Sequence, residues 1–370
     1  MLGFRAQPTD HYRRTVYLAR RQDLCYGSVA DHVTVFDWIR DFVHVYPDTQ
    51  PKFSFVFHGA LSHDSMTKVR VADADLRDLL RDLHADGSLN RTLLIIMSDH
   101  GSRHGAERSV EQGKYEERNP YFGVRIPTWL ARSHPAIVDN LRRNADRLTT
   151  PFDIHATFKE LLNFSGSGPG DRRRRGISLF KEIPAGRTCA DAAIEPHWCN
   201  CLQWTSISVD NEAAMKVVAA VVSFINNLTV EQRDVCSELT VDAVLSAGRY
   251  GANGDLLRFK QSADADGRVP LMADAKDAAA AATEFLYQVK FVVRPSGGIF
   301  EATVGSSTNV VGDGKSSTRY ALSGKEISRL NVYGRQPHCV MDRLPHLRPY
   351  CYCMVPAAYD DLKPALPEPI

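Results

Sequence analysis

Apolar and polar positions alternate along this chain with periods that predict its elements. From Ala30 to Val45, the apolar residues Val33, Val35, Phe36, Ile39, Phe42 and Val43 fall near helical spacing, so one face of a helix is expected to be buried. Val71 to Asp86 predicts a second amphipathic helix, with Leu76, Leu79, Leu80 and Leu83 on one side and Gly87 ending it. Phe53-Ser54-Phe55-Val56-Phe57 reads as an aromatic strand, and Leu93 to Met97 as an apolar run of strand length. Strand, helix and strand make a βαβ unit with a right-handed crossover, its second strand buried inside a sheet covered on both sides. Tyr121 to Leu130 predicts another strand. Thr149-Thr150-Pro151 opens a helix from Phe152 to Leu162, with His155 in its first turn.

A second pattern follows. Residues 163–187 form a boundary: Ser165 to Asp171 with the four arginines that follow predicts a linker or exposed loop, and Gly176 to Phe180 a short segment returning to a sheet edge. Arg172 to Arg175 read as a solvated stretch ahead of an anion patch or a protease target. Beyond lie an apolar helix from Ala213 to Asn226, a hairpin from Phe285–Val293 through a Pro295-Ser-Gly-Gly turn to Ile299–Val304, and an alternating strand from Ser328 to Tyr333. One helix on a small antiparallel sheet predicts an α+β accessory domain, cystatin-like in outline. Residues 251–282, poor in large apolar side chains, predict an insert or weak helix. The expected division is therefore an α/β domain over 1–187 and a cysteine-rich α+β domain over 188–370.

The apolar run at 93–97 stops on Ser98-Asp99-His100-Gly101. Ligands of open α/β sheets bind beyond the carboxyl ends of strands, and Asp and neutral His are ordinary ligands for divalent metals. Adjacent side chains can meet one ion only where a strand gives way to a loop, and Gly101 supplies that break. The alternative is a turn in which Asp99 caps a following helix.

The wider context resembles a known family. Ser98-Asp99-His100-Gly101, Lys114-Tyr115-Glu116-Glu117-Arg118 and Val124-Arg125-Ile126-Pro127 resemble the later half of the sulfatase-like branch of the alkaline phosphatase superfamily. More narrowly, Pro8-Thr9-Asp10-His11-Tyr12, Leu61-Ser62-His63-Asp64, Gln112 to Arg118 and Arg147 to His155 resemble the domain of unknown function 229 family, over nearly the whole chain. The resemblance implies a partial alkaline-phosphatase-like layered sheet with helices on both faces. It implies a divalent metal (zinc, manganese or calcium) on Asp99 and His100, and an anionic ester contacted by His63, His104 and Lys114. The cation-rich loop from Ser102 to Arg118 suits such an ester, as it suits solvent. Enzymes of this superfamily add an earlier metal-binding Asp and a Thr, Ser or formylglycine nucleophile. No Cys-x-Pro-Ser-Arg motif and no early Asp with a Thr or Ser at a first strand tip occurs here. The expectation is a piece of a longer hydrolase-like protein for phosphate or sulfate esters, inactive as given. The alternative is an extracellular binding or structural protein that keeps the fold.

Composition narrows the setting. A net charge of +1 gives no field for nucleic acid, and no apolar run is long enough to span a membrane. Seven of eight cysteines (Cys189, Cys199, Cys201, Cys236, Cys339, Cys351, Cys353) crowd after residue 185, as in a disulfide framework; the Cys-x-Cys spacings suit disulfides better than a zinc knuckle. With sequons at Asn90, Asn163 and Asn227 they point to a glycoprotein outside the cell or in the secretory lumen, although no signal peptide opens the chain.

Overall fold

The computed structural model describes residues 24–63, 67–103, 108, 110–164, 166, 168–251, 285–310 and 316–355. They form a mixed set of helices and sheets in two compact units, 1–98 with 121–130, and 99–120 with 131–370.

In the first unit a small hairpin, β1 (Cys25–Tyr26) and β2 (Val29–Ala30), leads into helix α1 (Asp31–Val45), and α2 (Asp73–Ala85) follows a 3-10 turn. Both helices lie where the periodicity places them. Gly87, at φ +83°, takes the left-handed position beyond α2 that favours glycine. Leu79, Leu83 and Leu89 pack with Phe36, Ile39, Val43 and Leu76. The helices run side by side in the same direction, since His32 meets Asp75 at their first turns and His44 meets Asp86 at their last, both at 2.8 Å.

Strand β3 (Leu94–Met97) pairs antiparallel with β4 (Phe122–Arg125), Leu94 opposite Arg125 and Met97 opposite Phe122. Here the structure departs from the expected sheet. Phe53 to Phe57 forms no strand, and Phe53, Phe55 and Phe57 are exposed. No βαβ ladder is made among the described residues, and Met97 is exposed. Among the described residues β3 pairs only with β4, and a two-stranded ladder offers too little sheet for layers to cover both faces of an apolar run.

The second unit contains α3 (Glu111–Arg118), α4 (Thr128–Ser133, which straddles the units), α5 (Pro135–Asn144) and α6 (Pro151–Leu162). The strand expected over 121–130 ends early because Pro127 has no N–H to continue it, and the chain turns into α4. Thr150 and Asp153 cap α6 reciprocally, as the Thr-Thr-Pro signal implies. The segment expected to return to a sheet edge, Gly176 to Phe180, packs against helices instead, while Arg172, Arg173 and Arg174 of the expected loop are exposed. Ile177, Leu179, Phe180 and Ile183 are buried, and helix side chains satisfy their backbone groups. Asn140 donates to the Phe180 carbonyl (2.8 Å) and Asn144 to those of Leu179 and Lys181, while Asn144 accepts from Ile183 N–H (2.8 Å). Thr157 accepts from Leu179 N–H, and Asp153 from Ile177 N–H. Arg187 closes the segment on Asp153 at 2.8 Å, both side chains fully buried.

Helix α7 (Glu212–Leu228) lies on a five-stranded antiparallel sheet in sequential order: β5 (Thr205–Ile207), β6 (Thr240–Gly251), β7 (Phe285–Arg294), β8 (Gly298–Val310) and β9 (Ser316–Arg329). One sheet face, with Val289, Phe291, Val293, Phe300, Ala302 and Val304, packs on Val217, Val218, Val221 and Ile225 of α7. This is the expected helix-on-sheet arrangement. The strand expected from Ser328 to Tyr333 overlaps β9 only at Ser328 and Arg329, and β5 and β6 were not expected. Three disulfides, Cys189–Cys199, Cys236–Cys351 and Cys339–Cys353, fasten this region. Apart from Gly251, residues 251–282 lie outside the described residues.

Candidate functional site

The Asp99-His100-Gly101 loop begins two residues beyond β3 and is pinned to α3 by its glycine. Gly101 N–H donates to the Glu117 carbonyl at 2.9 Å. A Cβ at Gly101 would stand 2.2 Å from the Glu116 carbonyl oxygen, so only glycine allows that approach. The His100 ring is oriented by its neighbour, with Nδ1 2.6 Å from the Gly101 carbonyl, which places the ring proton there and presents Nε2 as the lone-pair nitrogen. Asp99 uses Oδ1 to accept His100 N–H at 3.0 Å and turns Oδ2 toward Nε2 at 3.6 Å.

That separation bears on whether the pair could hold a metal ion. It is too long for a hydrogen bond. Two ligand bonds of about 2.1 Å opened to a tetrahedral angle hold their donor atoms about 3.4 Å apart, close to what the pair shows. The two donors fit one cation in chemistry and spacing. Among the described residues no third carboxylate, imidazole or thiol closes a cluster with them. Asp99 caps no described helix, the next being α3 at Glu111.

Of the residues expected at the ester, Lys114 is buried on α3, with Nζ at the Gln288 amide oxygen and 3.9 Å from Glu301. His63 sits exposed in the turn closed by its own N–H on the Gly59 carbonyl. His104 lies outside the described residues. Arg103, on the loop, stands 3.5 Å from Glu117, which also meets the buried Arg108 at 2.7 Å. Asn90, Asn163 and Asn227 are all exposed. Six of the seven late cysteines form the disulfides, whereas Cys201 and the early Cys25 are free and exposed.

Lys114 belongs to a buried charge cluster on the sheet face away from α7. The strands bring Gln288 opposite Thr303, and Lys290 and Ser328 opposite Glu301. Arg118 reaches Glu301 at 2.9 Å and lies over the Trp198 ring. His197, fully buried, meets Thr303 at 3.2 Å and Ser328 at 2.9 Å. Burial lowers Lys114 to about 8 against the opposing pull of Glu301. Burial likewise takes His197 down to about 4, so the ring is neutral near pH 7. Burial alone would raise the Glu301 carboxyl, but Lys114 and Arg118 outweigh it and hold the group ionised. Glu301 and His197 were not found from sequence; the one signal was a carboxylate in the polar register of an alternating strand, which solvent explains equally.

A family model described as "Protein of unknown function (DUF229)" matches residues 1–245. No curated protein and no solved structure matches the chain.

Proposed function

The matched segment is more than half of the chain, so the protein belongs to the DUF229 family, and from that premise we propose that it is a metal-binding, hydrolase-like protein of the sulfatase-like branch of the alkaline phosphatase superfamily. Its ligand class is phosphate or sulfate esters. One observation carries the reading: Asp99 Oδ2 and His100 Nε2 face each other at a spacing that suits one divalent cation. In this reading Asp99 and His100 hold the metal, and Gly101 keeps the His100 proton on Nδ1. When bound, the metal supplies positive charge to the ester's non-bridging oxygens. Arg103, half-exposed on the same loop, adds a cationic donor. No residue is assigned as nucleophile, and the proposed behaviour of these 370 residues is binding without turnover. Three disulfides support an oxidising compartment, outside the cell or in the secretory lumen.

A second reading, an extracellular binding or structural protein without chemistry, is favoured by one residue. The Lys114 ammonium is committed to Gln288 and Glu301 and is nearly buried. Equilibrium binding of inorganic phosphate and sulfate, with zinc or manganese and again after chelation, separates the readings. Oxyanion binding that needs the metal supports the hydrolase-like reading. Binding indifferent to metal, or none, contradicts it.

A further inference from the structure

Cysteines 189, 199 and 201 gather their sulfurs within 4.8 Å of one another. Two are bonded, and the third, Cys201, is an exposed free thiol beside that bond. The bonded pair is unequally placed, Cys189 being half-buried and Cys199 buried. A thiolate next to a disulfide is the arrangement that thiol–disulfide exchange requires. Two further features show that the loop is not fully at rest in this pairing. Ala193, inside the ring closed by Cys189 and Cys199, has φ +53°, a left-handed conformation that alanine rarely adopts. Asn200, between the two neighbouring cysteines, buries a side-chain oxygen with no hydrogen-bond partner among the described residues.

We propose that Cys201 exchanges with the Cys189–Cys199 disulfide, so that this loop is a thiol switch with two pairings. In the step, the Cys201 thiolate attacks the Cys189 sulfur. A Cys189–Cys201 bond forms, the Cys189–Cys199 bond breaks, and its electron pair leaves on Cys199, which takes up a proton. One disulfide and one thiol are present before and after, so no oxidant or reductant is consumed. The pairings differ in what they show to solvent. With Cys189–Cys199 joined, a reactive thiol stands on the surface at Cys201, open to disulfides of small thiols or of other proteins. With Cys189–Cys201 joined, the thiol lies at the buried Cys199 position and that chemistry is withdrawn.

The test uses the folded chain in a Cys25→Ser background, so that no other exposed free thiol of the chain can attack. The protein is held without reductant at mildly alkaline pH, where thiolate is available, and then alkylated in denaturant. Cleavage on the N-terminal side of Asp191 separates Cys189 from the other two, and fragment-ion mass spectrometry tells Cys199 from Cys201. The expected result is label shared between Cys201 and Cys199, the Cys199 share growing faster as pH rises, and complete loss of the Cys199 label in Cys201→Ser. Label confined to Cys201, label at Cys189, or Cys199 label that persists in Cys201→Ser overturns the proposal.

Discussion

Arg118 on helix α3 and Glu301 on strand β8 meet at 2.9 Å with both side chains almost wholly buried. The contact ties the Lys-Tyr-Glu-Glu-Arg helix to the polar face of the C-terminal sheet, within one compact unit. Lys114 shares the same carboxylate at 3.9 Å. Glu301→Ala would strand two buried cations at once. The expected loss of stability is about 3–5 kcal/mol, the usual cost of breaking a buried pair, measured by chemical denaturation. A loss below about 1 kcal/mol would show that the cluster is solvated rather than dry.

His197 gives that cluster a pH signature. Its folded-state pKa of about 4 lies below the ordinary 6.5, so between those values the unfolded chain holds a proton that the native protein refuses. This contribution is therefore fully present above pH 6.5 and is lost as pH falls toward 4, by about 3 kcal/mol at most. Denaturation of the wild type and His197→Gln across pH 4–7 should show a shallower slope in the variant. Parallel slopes would place the titration elsewhere.

Lys114 acts at the other end of the scale. With its pKa lowered from 10.5 to about 8, the native state releases a proton that the unfolded chain keeps, so this group's contribution rises between pH 8 and 10.5. Lys114→Met should abolish that rise in thiol-capped protein. Since burial is the leading cause of the shift, the substitution should cost less than Glu301→Ala at pH 7.

The packed segment before residue 187 is open to proteolysis as a test. Arg173 is exposed, while Arg187 is buried on Asp153. Limited trypsin treatment of the wild type should cut after Arg173 and spare Arg187. Asp153→Asn removes the partner charge and should expose the Arg187 site, with a stability loss of about 3–5 kcal/mol. Equal resistance at Arg187 in both proteins would contradict the role given to the pair.

What the sequence disclosed follows from how local each signal was. Helices α1, α2 and α7 and the β7–β8 hairpin carry their periodicity within their own residues, and they lie where that periodicity points. Strand β6 was hidden because its register shifts twice, between Val241 and Ala243 and between Val244 and Ser246, which breaks the alternation a reader looks for. Residues 177–181 were expected at a sheet edge rather than on helices because their backbone partners, Asn140, Asn144, Asp153 and Thr157, come from helices earlier in the chain. Phe53 to Phe57 had strand composition but no ladder partner, and composition cannot supply one. At the candidate site, the adjacency of Asp99 and His100 was legible. The docking of Gly101 on α3 and the commitment of Lys114 to Glu301 were not, because both depend on distant chain.

Gly101→Ala tests that docking. Its Cβ would collide with the Glu116 carbonyl and push the loop off α3. The expected outcome is a stability loss of about 1–3 kcal/mol, typical of overpacking, and weakened metal binding with Asp99 and His100 intact. Unchanged binding would detach the loop's position from the site.

The most direct test of the central claim is a calorimetric titration of the chain with zinc and with manganese, beside Asp99→Ala and His100→Ala. Saturable heat in the wild type with either metal, lost in both variants, is what the facing carboxylate and imidazole require. Heats indistinguishable among the three proteins would contradict the metal centre and the hydrolase-like reading built on it.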